Sequence, residues 1–564
     1  MTAAASGPVF SLREIPFSHR GSWFGFSPVV AEKTYAEDVH LVSHQTGMHA
    51  ILRLVPTAGT AGTAVTATPH QLTWSRDDGR IDLAYESTDT VRLRGAGLGL
   101  SLLAADPVLT PFSGPYFYQD PVDGSHVFTV YQTGRRYRIS VLSGRAEAVG
   151  AQALGTAERG VILAADEPWE IAVEEYETAR APYAGGVAFE QVVKAARAEF
   201  DAFTAAVAPW RGDRTPAAEL AAYVLWSATV RPAGFVTRPA VLMSKHWMDK
   251  VWSWDHCFNA MALADGLPDL AWDQFRLVFD HQDAAGALPD SITHSEVLYN
   301  FVKPPIHGWT LRRLGPLGDA DRAETYRLLE RWTRFWLDAR RAPGRELPHY
   351  QHGNDSGWDN ATTFDPERVV ETADLAAFLV LQMRELSSLA TELGRPEEAG
   401  HWSQAAERMR DALLAELWDG TRFVARGAHS GRTWSSSSLL DLMPIVLGEE
   451  LPEPVRNALA AGIEAHLTAF GPATESPASP HYLDDGYWRG PIWAPSTVLI
   501  EDGLRRAGFV ELADEISARF RRLCEKSGFA ENFDARTGEG LRDRAYTWTA
   551  AAYLILAADH ERRL

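Results

Sequence analysis

The stretch Phe189-Glu190-Gln191-Val192-Val193-Lys194-Ala195-Ala196-Arg197-Ala198-Glu199-Phe200-Asp201-Ala202-Phe203-Thr204-Ala205-Ala206-Val207 marks a change of period in this chain. Its apolar residues recur every three or four positions, with Glu190, Lys194, Arg197 and Glu199 between them, which is the pattern of a helix with one buried face. Upstream the period is two. His70 to Trp74 leads through Asp77-Asp78-Gly79-Arg80 into Ile81 to Glu86, and His126 to Tyr131 leads through Thr133-Gly134 into Tyr137 to Leu142. The Asp-Gly and Thr-Gly steps supply the positive φ that tight hairpins need. Hairpins without intervening helices predict an antiparallel β-sandwich over residues 1–187. Residues 188–216 then read as a helical linker, ended by the break from Pro209 to Pro216.

From 217 to 564 the period is almost wholly helical. Helices are expected at 217–230, 256–266, 270–282, 307–314, 320–340, 367–393, 396–416, 435–447, 453–467, 491–506, 509–526 and 546–560. A dozen helices joined by irregular loops fit a toroid of alternating inner and outer helices, whose loops at one end form a pocket. A generic helical bundle fits the same count, and no repeat of fixed period favours a solenoid.

The chain has 564 residues, 46% hydrophobic and 23% charged, enough for more than one globular domain. Its net charge of -20 argues against nucleic acid or an anionic membrane as partner, because no basic patch offsets phosphate repulsion. Only Cys257 and Cys524 are present, so neither a disulfide framework nor a cysteine metal site is expected. Met1 to Pro8 shows no signal peptide, and no apolar run is long enough to span a membrane. The expected location is the cytoplasm. Nineteen tryptophans, most of them after residue 220, suit either a large aromatic core or a site lined with indoles.

Five clusters carry candidate chemistry. The first runs from Lys245 to His256 and holds Trp247, Trp252, Trp254, Asp249 and Asp255. Asp255 is placed either to cap the following helix or to hold sugar hydroxyls; His246 and His256 lack the helical spacing of a metal pair. The second, Tyr299 to Trp309, has Lys303 beside Pro304-Pro305, and helix resumes after them. The third is His352-Gly353-Asn354-Asp355-Ser356-Gly357-Trp358-Asp359-Asn360. Trp358 next to Asp359 sets a flat apolar ring, suited to a pyranose face, beside a carboxyl group able to handle a proton. Asp355, Asp365 and Glu367 compete for that role, Glu367 fitting better as a first-turn helix charge. The fourth, Asp485 to Trp493, places Arg489 among aromatic residues, to bind hydroxyls, to keep a carboxylate ionised or to form a structural ion pair. The fifth is Glu531-Asn532-Phe533-Asp534, with Tyr546-Thr547-Trp548-Thr549 following.

Taken together, W-S-W-D-H, K-P-P-I-H-G-W, S-G-W-D-N, Y-W-R-G-P-I-W and E-N-F-D with the later Y-T-W-T resemble the bacterial branch of glycoside hydrolase family 63, with trehalases and glycogen-debranching-type glucosidases as more distant relatives. The resemblance spans roughly residues 245 to 550. It implies an (α/α)6 barrel that hydrolyses α-linked glycosides with inversion, most simply an exo-acting α-glucosidase on small oligosaccharides or glucosides. An α-mannoside hydrolase of the mannosylglycerate type is the alternative. By the same resemblance Asp359 is the general acid and Glu531 the general base, while Trp254, Asp255, Lys303, Trp358, Trp488, Arg489 and Trp548 line the sugar subsite. Lys303 stands where family members often carry Gln. No calcium loop is visible, so neither metal nor cofactor is expected.

Inversion asks for a protonated acid, an ionised base, and carboxyl groups about 6.5–9.5 Å apart to admit the attacking water. Three other readings compete. A phosphorylase on a similar barrel would replace the second carboxylate by a phosphate pocket. A sugar epimerase would use paired histidines, for which His246, His256, His307 and His352 are available. A binding protein would keep the aromatic residues without the acids.

Overall fold

A computed structural model describes residues 7–57, 62–150 and 153–564. The reading of Met1 to Pro8 as free of a signal peptide lies largely outside them. The chain forms two compact units, one of Met1–Pro209, Ala222–Lys250 and Thr293–Ser295, the other of Trp210–Ala221, Val251–Ile292 and Glu296–Leu564.

The first unit is built on antiparallel sheets. One runs in the order Phe17–Ser18, Phe24–Ala31, Thr34–Ser43, His49–Pro56, Leu100–Ala104, Gly160–Leu163 and Ala146–Val149. The other runs Pro115–Gln119, His126–Val130, Arg135–Ser143, Trp169–Tyr176, Thr90–Ala96, Gly79–Ser87, Gln71–Arg76 and Ala64–Thr68. The two sheets meet at Tyr85, whose ring centroid lies 5.7 Å from that of Phe17 and 5.5 Å from that of Phe24. Its hydroxyl donates to Phe24 O at 2.9 Å, so the phenol is buried with its polar end satisfied.

Both hairpins read from the sequence form. Gly134 takes the left-handed conformation at φ 63°, as expected, but in the other turn Asp77 does so at φ 50°. Asp tolerates this region because its short side chain bonds locally. Gly79 instead opens the returning strand, where a Cβ would lie 2.6 Å from Gly97 O.

Helix α1 (Phe189–Val207) is a packed part of the first unit. Its periodic face, Phe189, Val192, Ala196, Phe200, Phe203 and Val207, is buried. Phe189 and Val192 pack on Ala84 of the second sheet, and the Arg94 guanidinium sits 4.3 Å over the Phe189 ring. An apolar stripe with a sheet beside it buries itself there.

The remaining helices are α2 (Ala218–Ala228), α3 (Asp255–Leu263), α4 (Pro268–Leu277), α5 (His307–Leu311), α6 (Asp319–Arg334), α7 (Ala373–Glu392), α8 (Pro396–Leu417), α9 (Glu453–His466), α10 (Ala494–Arg506), α11 (Val510–Ser527) and α12 (Thr547–Arg563). Leu439–Glu450 is a 3-10 segment rather than the expected α-helix, because Pro444 inside it removes a donor and Gly448 breaks the helical backbone at φ 58°. In the second unit α3 packs on α5, α5 on α7, α7 on the 439–450 segment, that segment on α10, α10 on α12, and α12 back on α3. Three members of this closed ring are buried nearly all round: Thr547 to Ala558 of α12 are buried without a break, as are Ala494 to Glu501 of α10 and Asp255 to Met261 of α3. By contrast α8 and α11 bury one stripe each, Ala399, Trp402, Ala406, Met409 and Leu413 in α8 and Ala513, Ile516, Phe520 and Leu523 in α11. They pack on α7 and on α10 and α12 respectively.

Both cysteines are buried and free, and burial pushes the Cys257 thiol up to about 12. No helix among the described residues is long and apolar enough to cross a membrane.

Candidate active site

Four of the five motif loops, and the part of the first from Val251 onward, lie in the second unit, where hydrogen bonds stitch them together in chain order. Val251–Trp252 pairs with Ser291–Ile292, which brings Asp290 beside the start of α3. Lys303 forms an ion pair with Asp290 at 3.1 Å and donates to Asn354 O at 2.9 Å, joining the second loop to the third. Asn360 joins the third to the fourth: its amide donates to Gly486 O at 3.0 Å, its Oδ1 accepts from the Trp488 amide at 3.0 Å, and its carbonyl accepts from Arg489 Nε at 2.7 Å. Ile492 and Phe533 exchange main-chain hydrogen bonds at 2.8 and 3.0 Å, joining the fourth to the fifth. Trp548 closes the circle edge-on to Trp254, with centroids 5.8 Å apart.

Indoles fill the middle. Trp488 stacks on Trp493 at 4.1 Å, Trp358 lies against Trp488 at 4.6 Å, and Trp493 meets Trp548 at 5.5 Å. Trp254, Trp358, Trp488 and Trp548 are all buried, so they form a packed floor rather than a free-standing platform. Gly357 allows one of these contacts. It is left-handed at φ 73°, and a Cβ there would lie 2.5 Å from the Trp254 ring.

The competing acids of the third loop separate by their partners. Asp355 accepts from the amides of Val302 and Gln351 and pairs with Arg340 at 2.8 Å, a buried structural anchor. Asp365 pairs with Arg489 at 2.6 Å, so the side chain of Arg489 forms the ion pair named among its sequence readings. Glu367 accepts from Ser430 Oγ at 2.6 Å, and α7 begins only at Ala373. Asp359 has no such anchor. Burial raises its pKa. Asp290 adds to that rise, while Lys303, His352 and the nearby Tyr487 hydroxyl oppose it.

Asp255 does not cap α3; Trp254 occupies that position. Its Oδ2 is buried without a hydrogen-bond partner, and burial pushes its pKa up to about 8 against the pull of Lys303. Burial works against the charge of Lys303, but Asp359, Asp290 and Asp255 together hold its pKa above the usual lysine value. Glu531 is buried, its amide donating to Asp543 O at 2.7 Å, and Thr549 of α12 holds the preceding carbonyl of Ala530 at 2.7 Å. The Tyr487 phenol is held un-ionised by burial and then by the charges of Asp359, Glu531 and Asp255, with Arg542 opposing them. The Tyr546 phenol is likewise held un-ionised by burial, then by Glu531 and Asp255.

Asp290, Tyr487, Tyr546 and Arg542 were not singled out in the sequence. Tyr487 and Tyr546 lie inside quoted motifs, and their position beside tryptophans was the available signal. Asp290 sits outside every motif. Of the histidines, His307 is held by Ser253 O at 3.0 Å, with burial lowering its pKa to about 4, and His352 accepts from the Asn354 amide at 3.1 Å. Among the described residues no group of three or more His, Cys, Asp or Glu is placed to hold a metal ion.

The comparisons show a glycoside hydrolase. Residues 248–549 match the model for the mannosylglycerate hydrolase MGH1-like glycoside hydrolase domain; the chain belongs to this family, within glycoside hydrolase family 63. It is 24% identical over 421 residues to a mannosylglycerate hydrolase of Rubrobacter radiotolerans, covering 57% of this chain and 92% of that one. It is 23% identical over 441 residues to a glucosylglycerate hydrolase of Mycolicibacterium hassiacum, covering 60% and 97%. Among solved structures, the GH63 mannosylglycerate hydrolase of Thermus thermophilus in complex with glucose aligns with a TM-score of 0.52 at 22% identity, over 60% of this chain and 98% of that one.

Proposed function

We propose that the protein is an inverting hydrolase of small α-hexosides, with glycerate glycosides as the leading substrate class. The α-glucosidase expected from the sequence becomes the second reading, because the relatives are named for mannosylglycerate and glucosylglycerate. The observation that carries the mechanism is that half-buried Asp359 and buried Glu531 stand in loops tied to one segment, the first through Asn360 to Gly486 and Trp488 and the second through the Ile492–Phe533 pairing. Asp359, its pKa raised by burial, donates a proton to the leaving oxygen. Glu531 takes a proton from water, which attacks the anomeric carbon from the opposite face. Asp255, with an unpartnered oxygen, accepts sugar hydroxyls, and Lys303 donates to them; Trp254, Trp358, Trp488 and Trp548 shape the floor beneath the ring. Arg489 acts from behind, holding Asn360 and Asp365. The ring of six helical elements with striped helices packed on it supports the (α/α)6 barrel.

The test is to incubate the protein with α-mannosylglycerate, α-glucosylglycerate and a panel of α-linked glucose disaccharides, and to follow the released anomer by NMR. The β anomer should appear first, from a glycerate glycoside, and Asp359→Asn and Glu531→Gln should both abolish it. First release of the α anomer would refute inversion. Cleavage that requires phosphate would favour the phosphorylase. Preference for a glucose disaccharide would restore the α-glucosidase.

A further inference from the structure

Among the described residues of the second unit, the non-glycine residues with left-handed backbone are Tyr487, at φ 65°, and Arg542, at φ 61°. Bulky side chains avoid this region, and such strain persists only where the surroundings impose it. The two residues touch. The Arg542 guanidinium sits 5.0 Å over the Tyr487 ring. Its Nη1 donates to Asn532 Oδ1 at 2.9 Å, one residue beyond Glu531, and its Nη2 pairs with Asp485 at 2.6 Å. The hydroxyl of Tyr487 lies near enough to Asp359 to lower the pKa of that carboxyl group. A single guanidinium therefore touches both the ring whose hydroxyl lies near one carboxyl group and the residue adjoining the other.

We infer that Arg542 is a positioning residue that holds Tyr487 against Asp359 and, through Asn532, fixes where Glu531 stands relative to it. The inference rests on the roles proposed above for Asp359 and Glu531. The ion pair with Asp485 does not account for the arrangement. Asp485 is 65% exposed, and an exposed pair contributes little, whereas the Arg542 side chain is 18% exposed and uses its flat face on the ring and its edge on Asn532. Holding two reactive groups in one geometry is where a small displacement costs most rate.

Four variants test it: Arg542→Gln, Tyr487→Phe, the double variant, and Asp485→Asn. Arg542→Gln should lower kcat by about 10- to 100-fold with KM little changed. Its alkaline limb of kcat/KM should move to higher pH, because the Tyr487 hydroxyl that Arg542 holds in place favours ionised Asp359; Lys303, Asp290, Asp255 and His352 stay as they are. The double variant should be no more impaired than Arg542→Gln, since both changes break one chain of contacts. Asp485→Asn should behave like wild type. Additive effects, or an Asp485→Asn defect matching that of Arg542→Gln, would overturn the inference and leave an ordinary ion pair. Crystal structures of wild type and Arg542→Gln decide it without any substrate. Tyr487 should turn away from Asp359 in the variant, and an unmoved Tyr487 would overturn the inference. A wild-type protein that cleaves no glycoside would instead sink the proposed function while that comparison still stands.

Discussion

Asp255 and Lys303 act on each other through charge, and Lys303 also acts on Asp359. The carboxyl of Asp255 has a pKa raised to about 8 when folded, against 3.8 ordinarily. The folded state then binds the extra proton between those values, so this residue's contribution to stability falls as pH rises from about 4 to about 8. Asp255→Asn should therefore raise Tm by roughly a few degrees near pH 7.5, the gain vanishing below pH 4, while activity is lost. Calorimetry across pH checks this; a Tm difference independent of pH would refute it. Lys303 pulls Asp359 toward its ionised form. Lys303→Gln should move the alkaline limb of kcat/KM upward and lower kcat, and an unmoved limb would show that the two groups do not interact. The sequence draws attention to Asp359, Asp255 and Lys303, because each lies in a motif with tryptophan, proline or glycine beside it, whereas Glu531 in Ala530-Glu531-Asn532-Phe533-Asp534 has no such neighbour and stands out only through the family resemblance. It hides Asp290, which reaches Lys303 only through the two-residue pairing of Val251–Trp252 with Ser291–Ile292. Arg542 is equally silent, since nothing in Leu541-Arg542-Asp543 announces a left-handed residue.

Helices were legible where burial is periodic, as in α1, α8 and α11, and also in α12, whose apolar run has the length of a helix. The misread elements fail for local reasons. Glu367 to Thr372 cannot extend α7, because Val370–Glu371 pairs with Arg426 and Gly427 in a short ladder. Ladders of two residues carry no alternation to read. Two substitutions probe the elements. Leu556→Ala in α12, at 0% exposure, should cost about 2–5 kcal/mol, measured by urea unfolding. A cost near zero would mean that α12 is not in the core. Gly357→Ala should cost at least about 1–2 kcal/mol for its left-handed backbone alone. Contact with Trp254 adds to this, and kcat should fall as Asp359 shifts with the loop.

Charge acts on the entire chain. At -20, the protein repels an anionic substrate at low salt. The Debye length shrinks from about 30 Å at 0.01 M to about 8 Å at 0.15 M salt. If a glycerate glycoside is the substrate, kcat/KM for it should rise between those conditions, while a neutral α-glucoside should show little change. Equal salt response for both would mean that the long-range field plays no part in capture, and that selection rests on the pocket alone.

The state of the two thiols bears on how the molecule can be watched. Cys257 and Cys524 are buried, and burial raises both pKa values. Little thiolate forms at neutral pH, so maleimide reagents should pass the native protein by. A cysteine placed at Leu483, 57% exposed in the loop that carries Tyr487, would then take a single fluorophore without first removing any native residue. Such a probe would report ligand arrival in real time, including for compounds that the enzyme binds and never cleaves.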